Sequence, residues 1–122
     1  NERACAATLA QALGRRCCNL TGQTTLGTLG AVLARLALLI SSDSGPAHIG
    51  YAPGVPTVTV FRRGGTARYG PLATGPFRAL EPEDVDDDRV SVAQVVSAAV
   101  DLLERNADRE TNWNNARSAS GK

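Results

Sequence analysis

Apolar positions along the chain fall into short runs of two periods, and the runs alternate. Ala4, Ala7, Leu9, Ala10 and Leu13 recur near helical spacing, with Gly14 as a stop. Cys17 to Leu20 reads as a short strand closed by Thr21-Gly22. Thr25 is placed to cap a second helix, whose apolar stripe passes through Leu26, Leu29, Val32, Leu33 and Leu36. Ala37 to Ile40 reads as a buried strand. A short helix through His48, Ile49 and Ala52 follows, ended by Pro53-Gly54. Thr57 to Phe61 (TVTVF) is the clearest strand pattern, β-branched and closed by an aromatic. A loop rich in Gly and Arg spans Arg62 to Gly75, with a last short strand at Phe77 to Leu80. From Ser91 to about Asn106 the spacing predicts the strongest helix, with Val92, Val95, Val96, Ala99, Val100 and Leu103 on its stripe.

Alternation of helices with short, continuously apolar strands belongs to parallel sheets covered on both faces. The predicted class is α/β, a Rossmann-like parallel sheet with helices on both faces, lacking at least its first strand. Such sheets bind ligands at the carboxyl ends of their strands. The pattern divides the chain into a Rossmann-like domain over 1–107 and a polar tail over 108–122, where Trp113 is the one large apolar side chain. The tail is expected to fray or to dock elsewhere. Asn1-Glu2-Arg3 runs straight into a helical pattern with no initiator Met, so the chain is expected to be a fragment of a longer protein.

Composition narrows the function classes. Thirteen Lys and Arg against twelve Asp and Glu leave a net charge of +1, which gives no electrostatic footprint for nucleic acid or an anionic membrane. No apolar stretch approaches the roughly 18 residues needed to span a bilayer. A cytoplasmic domain with at most peripheral membrane contact is expected. Cys5, Cys17 and Cys18 are an odd number without C-x-x-C spacing, so a reduced, structural role is expected and no metal. The acidic stretch Glu81 to Asp88 lacks the alternation and central Gly of a calcium loop and reads as a solvated connection.

The segment that carries chemistry is Leu39 to Phe61, LISSDSGPAHIGYAPGVPTVTVF. A strand ends at Ser41-Ser42 and a helix begins within Asp43 to Pro46. Asp43 or Ser44 is placed to cap it, Gly45 lets another molecule approach the backbone, and Pro46 suits a first helical turn. Exposed N–H groups at such a terminus suit a phosphate. Two readings stand on these residues alone: a phosphate site with Ser44 as donor and His48 facing the ligand, or an ordinary capped helix with a structural histidine.

Asp43-Ser44-Gly45-Pro46-Ala47-His48, followed by Gly54-Val55-Pro56 and a strand ending in Phe61, resembles the ADP-heptose:lipopolysaccharide heptosyltransferases. Their pattern is D-[ST]-G-P-x-H, a short helix, G-x-P and a strand. Leu20-Thr21-Gly22-Gln23-Thr24-Thr25-Leu26 is similar to that family's L-x-G-x-[TS]-[ST]-L, and Tyr69-Gly70-Pro71 matches a Y-G-P downstream. The resemblance covers residues 2 to 105. It implies the two-domain GT-B fold, with this chain as the C-terminal half that holds the nucleotide sugar.

By the same resemblance Asp43, Ser44 and Gly45 sit at the sugar and pyrophosphate, and backbone near Thr24 contacts the adenine. His48 lies beside the phosphates or holds the loop, and Glu2 is near the ribose. The catalytic base is expected on the N-terminal half, so no catalytic residue is assigned here and the chain alone is expected to be inactive. The implied partners are an ADP-heptose-like nucleotide sugar and, through that other half, a lipopolysaccharide-core-type acceptor. No cofactor is implied.

One departure stands out. Where the family reads F-G-P-T after the strand, this chain has Phe61-Arg62-Arg63-Gly64-Gly65-Thr66. Arg62 and Arg63 either grip phosphate bidentately or are solvated surface charges. A relative of the UDP-N-acetylglucosamine 2-epimerases, with a D-S-G-G turn in place of D-S-G-P, and a non-catalytic nucleotide-binding module are the alternatives.

Overall fold

The computed structural model describes residues 2–71, 74–83 and 88–119, with 109–119 as backbone only. Three parallel strands form one sheet in the order β1 (Leu39–Ser42), β2 (Thr57–Val60), β3 (Phe77–Leu80). Leu39 pairs with Thr57 and Ser42 with Val60; Thr57 pairs with Phe77 and Val60 with Leu80. Among the described residues five α-helices accompany them: α1 (Glu2–Leu13), α2 (Leu26–Leu33), α3 (Gly45–Tyr51), α4 (Gly65–Tyr69) and α5 (Val92–Ala119).

Both faces of the sheet are covered, and the alternation along each strand explains how. Leu39 packs with Val55 and Leu33, joined by Leu29 of α2 and Ile49 of α3. On the other face Val58 packs with Ala99 and Leu102 of α5, joined by Leu38, Leu80, Val95 and Ala98. Strand residues two apart share a face, so Thr57 and Thr59 point toward α3. Both are buried, and both are satisfied: Thr57 donates to the Val55 carbonyl at 2.7 Å, and Thr59 meets the Tyr51 hydroxyl at 2.6 Å. α3 lies close on the sheet because Gly50 has no side chain. A Cβ there would stand 2.6 Å from Leu39 Cδ2, well inside van der Waals contact.

Several expectations are revised. Cys17 to Leu20 forms no strand. Asn19 accepts from the Thr21 N–H at 3.0 Å, and the Gln23 side chain and N–H donate to the Asn19 and Leu20 carbonyls. Short-range turn bonds thus take the backbone groups that a neighbouring strand would need. The strand expected at Ala37–Ile40 is shifted two residues on, to Leu39–Ser42, because β2 sets the register; Ile40 is 53% exposed. The loop expected over 62–75 contains α4.

Ser91 starts α5 with a capping box, its hydroxyl accepting from the Gln94 N–H and the Gln94 side chain accepting from the Ser91 N–H. The face that meets the sheet is Val95-Ala98-Ala99-Leu102. Val92, Val96, Val100 and Leu103 of the expected stripe are exposed, so the stripe is rotated from the pattern reading. The helix backbone continues through Asp108 to Ala119. Asp84–Asp87 of the acidic stretch and the Trp113 side chain lie outside the described residues.

Candidate functional site at the carboxyl edge of the sheet

At the carboxyl end of β1 the ladder runs one step past the strand, the Asp43 N–H donating to the Val60 carbonyl at 3.0 Å. That bond fixes Asp43 at the edge, just before α3. Ser44 occupies the N-cap position with extended backbone, and Pro46 lies in the first turn. The Ser44 hydroxyl does not cap. It donates back to the Ser42 carbonyl at 3.1 Å and meets the Ser41 hydroxyl at 3.2 Å. Gly45 is exposed, and a Cβ there would meet nothing within 4 Å. The backbone at the start of α3 is therefore open to an approaching molecule.

The corresponding junction after β2 is built differently. Phe61 continues the ladder, its N–H donating to the Leu80 carbonyl at 2.8 Å. Arg62 and Arg63 are exposed, and Gly64 turns the chain at a φ of 74°, a left-handed conformation that suits glycine. α4 then starts with no cap from its own segment. Glu81, directly after β3, supplies one. Its carboxylate accepts from the Gly64 N–H at 3.1 Å, the Thr66 N–H at 2.6 Å and the Thr66 hydroxyl. The Thr66 side-chain bond, then the Thr66 backbone bond, hold the Glu81 carboxyl below its ordinary value, with Gly64 and the nearby Arg63 guanidinium adding to the effect. Glu81 is thus an anchor rather than part of a solvated connection.

Between the two junctions lies a cleft of about 780 Å³. Asp43, Arg62, Arg63, Arg68, Tyr69 and Arg89 line it, together with Ser42, Val60, Phe61 and Asp88. Four arginines and two aspartates are among its lining residues, an excess of positive charge that favours an anionic ligand. A smaller cleft of about 420 Å³ adjoins it, lined by His48, Tyr51, Arg68, Tyr69, Gly70 and Pro71. Arg68 and Tyr69 wall both, the guanidinium carbon 5.3 Å from the centre of the Tyr69 ring. A third cleft, about 570 Å³, lies at the opposite end of β3 around Thr74, Gly75 and Arg78.

Asp43, Arg62 and Arg63 therefore share one cleft. His48 opens into the neighbouring cleft, its Nε2 3.9 Å from Asp43 Oδ1 and beyond direct hydrogen bonding. It is held edge-on against Tyr51, which reaches across to Thr59 and packs at a tilt on Phe77, ring centres 4.8 Å apart. Ser44 and Gly45 adjoin Asp43, while Thr24 is half-buried before α2 and lines none of these clefts. Glu2 is exposed at the start of α1.

Pattern reading missed four residues. Tyr69 enters only as the first letter of Y-G-P, and Arg68 only as the end of the Phe61–Arg68 segment, which faintly echoes a V-x-x-R-x-x-T-x-R loop of the 2-epimerases. Arg89 and Glu81 were hidden at the two ends of an acidic connection. The middle letter of Y-G-P has a direct reason: a Cβ at Gly70 would stand 2.5 Å from the Thr66 carbonyl oxygen. Among the described residues no three His, Cys, Asp or Glu side chains gather to hold a metal ion, and no helix is long and apolar enough to cross a membrane.

Comparison with known proteins agrees with the residue reading. The lipopolysaccharide core heptosyltransferase OpsX of Haemophilus influenzae is 36% identical over 63 residues, covering 52% of this chain and 17% of that protein. The crystal structure of the glycosyl transferase family 9 protein from Veillonella parvula DSM 2008 superposes with a TM-score of 0.61 at 33% identity, covering 69% of this chain and 28% of the other. The matched region is thus a small part of either relative's length. The sequence profile of glycosyltransferase family 9 (heptosyltransferase) matches residues 1–79, which include both Asp43 and the Arg62–Tyr69 segment. The chain belongs to glycosyltransferase family 9, the heptosyltransferase family.

Proposed function

We propose that this chain is the donor-binding part of a heptosyltransferase, holding a nucleotide diphosphate sugar in the cleft between β1–α3 and β2–α4. The observation that carries the reading is the coincidence of the family's D-S-G-P-x-H segment with an arginine-lined cleft at the carboxyl edge of a parallel sheet. In this reading Arg62 and Arg63 take diphosphate oxygens. Gly45 offers open backbone beside Asp43, whose carboxylate accepts from sugar hydroxyls, and Ser44 adds a hydroxyl. His48 stands in the adjoining cleft, beyond Asp43, and backbone near Thr24 meets the base.

The guanidinium groups and the open helix start offset charge building on the departing diphosphate as the anomeric carbon–oxygen bond breaks. The acceptor hydroxyl loses its proton to a base outside this chain, so residues 1–107 bind donor without turning it over. The acceptor is a lipopolysaccharide-core-type saccharide presented by the remainder of the polypeptide, in the cytoplasm.

Calorimetric titration with ADP, UDP and ADP-heptose tests this directly. The reading expects adenosine diphosphates to bind in preference to UDP, and Asp43→Ala to weaken ADP-heptose about tenfold or more without lowering the melting temperature. Preference for UDP would overturn the donor assignment. Unchanged ADP-heptose affinity in Asp43→Ala would remove that residue from the site.

A further inference from the structure

Glu81 stands apart from every residue that the motif identifies. It lies beyond the matched segment 1–79, yet it accepts three hydrogen bonds from the arginine-bearing loop. Its two carboxylate oxygens are both engaged: one by the Gly64 N–H, the other by the N–H and the hydroxyl of Thr66. β3 delivers it there, since the Phe61 N–H to Leu80 carbonyl bond aligns the end of β3 with the start of the loop. The carboxylate thus fills the α4 start as an internal anion. Arg62 and Arg63 immediately precede the clamped residue, Gly64.

We infer that Glu81 is a positioning residue: by clamping Gly64 and Thr66 it fixes the loop that aims Arg62 and Arg63 into the cleft. An external phosphate then meets guanidinium groups rather than the start of α4, because Glu81 already occupies that start. The clamp itself stands on the geometry alone; its importance for the donor rests on the function proposed above.

The sign of one substitution effect separates positioning from bulk electrostatics. Glu81→Gln removes a negative charge beside arginines, which by Coulomb attraction alone should tighten an anion. Loss of the clamp should do the opposite. Two measurements on the same protein decide the matter. Without ligand, amide hydrogen exchange at Gly64 and Thr66 should quicken about tenfold in Glu81→Gln, as expected when charge-assisted bonds are lost. With inorganic pyrophosphate as probe, calorimetric affinity should fall about threefold or more in Glu81→Gln.

Thr66→Val removes only the hydroxyl contact and should show the same effects in smaller measure, while Thr66→Ser should behave as the parent. This pair keeps the test open if Glu81→Gln does not fold. Unchanged exchange at Gly64 and Thr66 would overturn the clamp. Equal or tighter pyrophosphate binding in a variant with loosened amides would overturn its positioning role. If the parent protein fails to bind pyrophosphate, the donor reading and the positioning role fall, and ligand-free exchange alone decides on the clamp.

Discussion

At the β1–α3 junction the N-cap side chain, Ser44, turns away from the helix that it starts. At the β2–α4 junction the N-cap is a glycine, and a carboxylate from beyond a third strand does the capping. The two junctions lie side by side on one sheet edge, tied by the same kind of ladder bond, Asp43 to Val60 and Phe61 to Leu80. One is left open around Gly45, and the other is closed from within. The difference teaches where an outside anion has room at this edge: beside Asp43 and the arginine side chains, and away from the start of α4.

The largest effect expected is one that should not distinguish the junctions. Leu102 is 2% exposed and packs under β2, the strand that both junctions share. Leu102→Ala should cost about 2–5 kcal/mol of stability, read by chemical denaturation. Protection should fall at Asp43 and Phe61 together. A loss confined to one junction would show that the sheet does not couple them.

Acid separates them next. Glu81 is held below its ordinary value of 4.5, so its bonds contribute fully above that pH and are lost as pH falls through its lower, folded value. Asp101 behaves alike. Its bond to Arg105 within α5, and then its bond to Arg78 that ties α5 to β3, hold it below 3.8, and its contribution is lost as pH falls through its lowered value. Amide shifts of Gly64 and Thr66 followed down from pH 6 should move with a midpoint below 4.5. A midpoint above it would contradict the clamp.

The smallest effect is at Ser44. Loss of a working N-cap costs roughly 0.5–2 kcal/mol. Because the Ser44 hydroxyl bonds backward, Ser44→Ala should cost under about 0.5 kcal/mol. A cost above 1 kcal/mol would show that the hydroxyl does cap α3, and the contrast between the junctions would disappear.

Much of this edge was legible in the sequence, for local reasons. TVTVF and the turn residues from Ser41 to Pro46 specify a strand and a strand-to-helix corner by short-range chemistry, and both lie where expected, although the Ser44 side chain does not cap α3. Cys17–Leu20 was misread because a strand needs a partner that pattern alone cannot supply. The stripe of α5 was misplaced because Val92, Val96 and Val100 suit a helix face equally well whether or not a sheet lies opposite. Glu81 was illegible for a longer-range reason. Its partners stand 15 and 17 positions away in sequence, and only the parallel pairing of β2 with β3 brings them together.

The central claim, that the open edge between the junctions receives the nucleotide diphosphate, is tested most directly by following backbone amide shifts during titration with ADP. The account predicts that Ser44, Gly45, Arg62 and Arg63 move most, while Thr66 moves little because Glu81 holds it. Shifts confined to the far cleft around Thr74, Gly75 and Arg78, or no shift at the carboxyl edge, would contradict it.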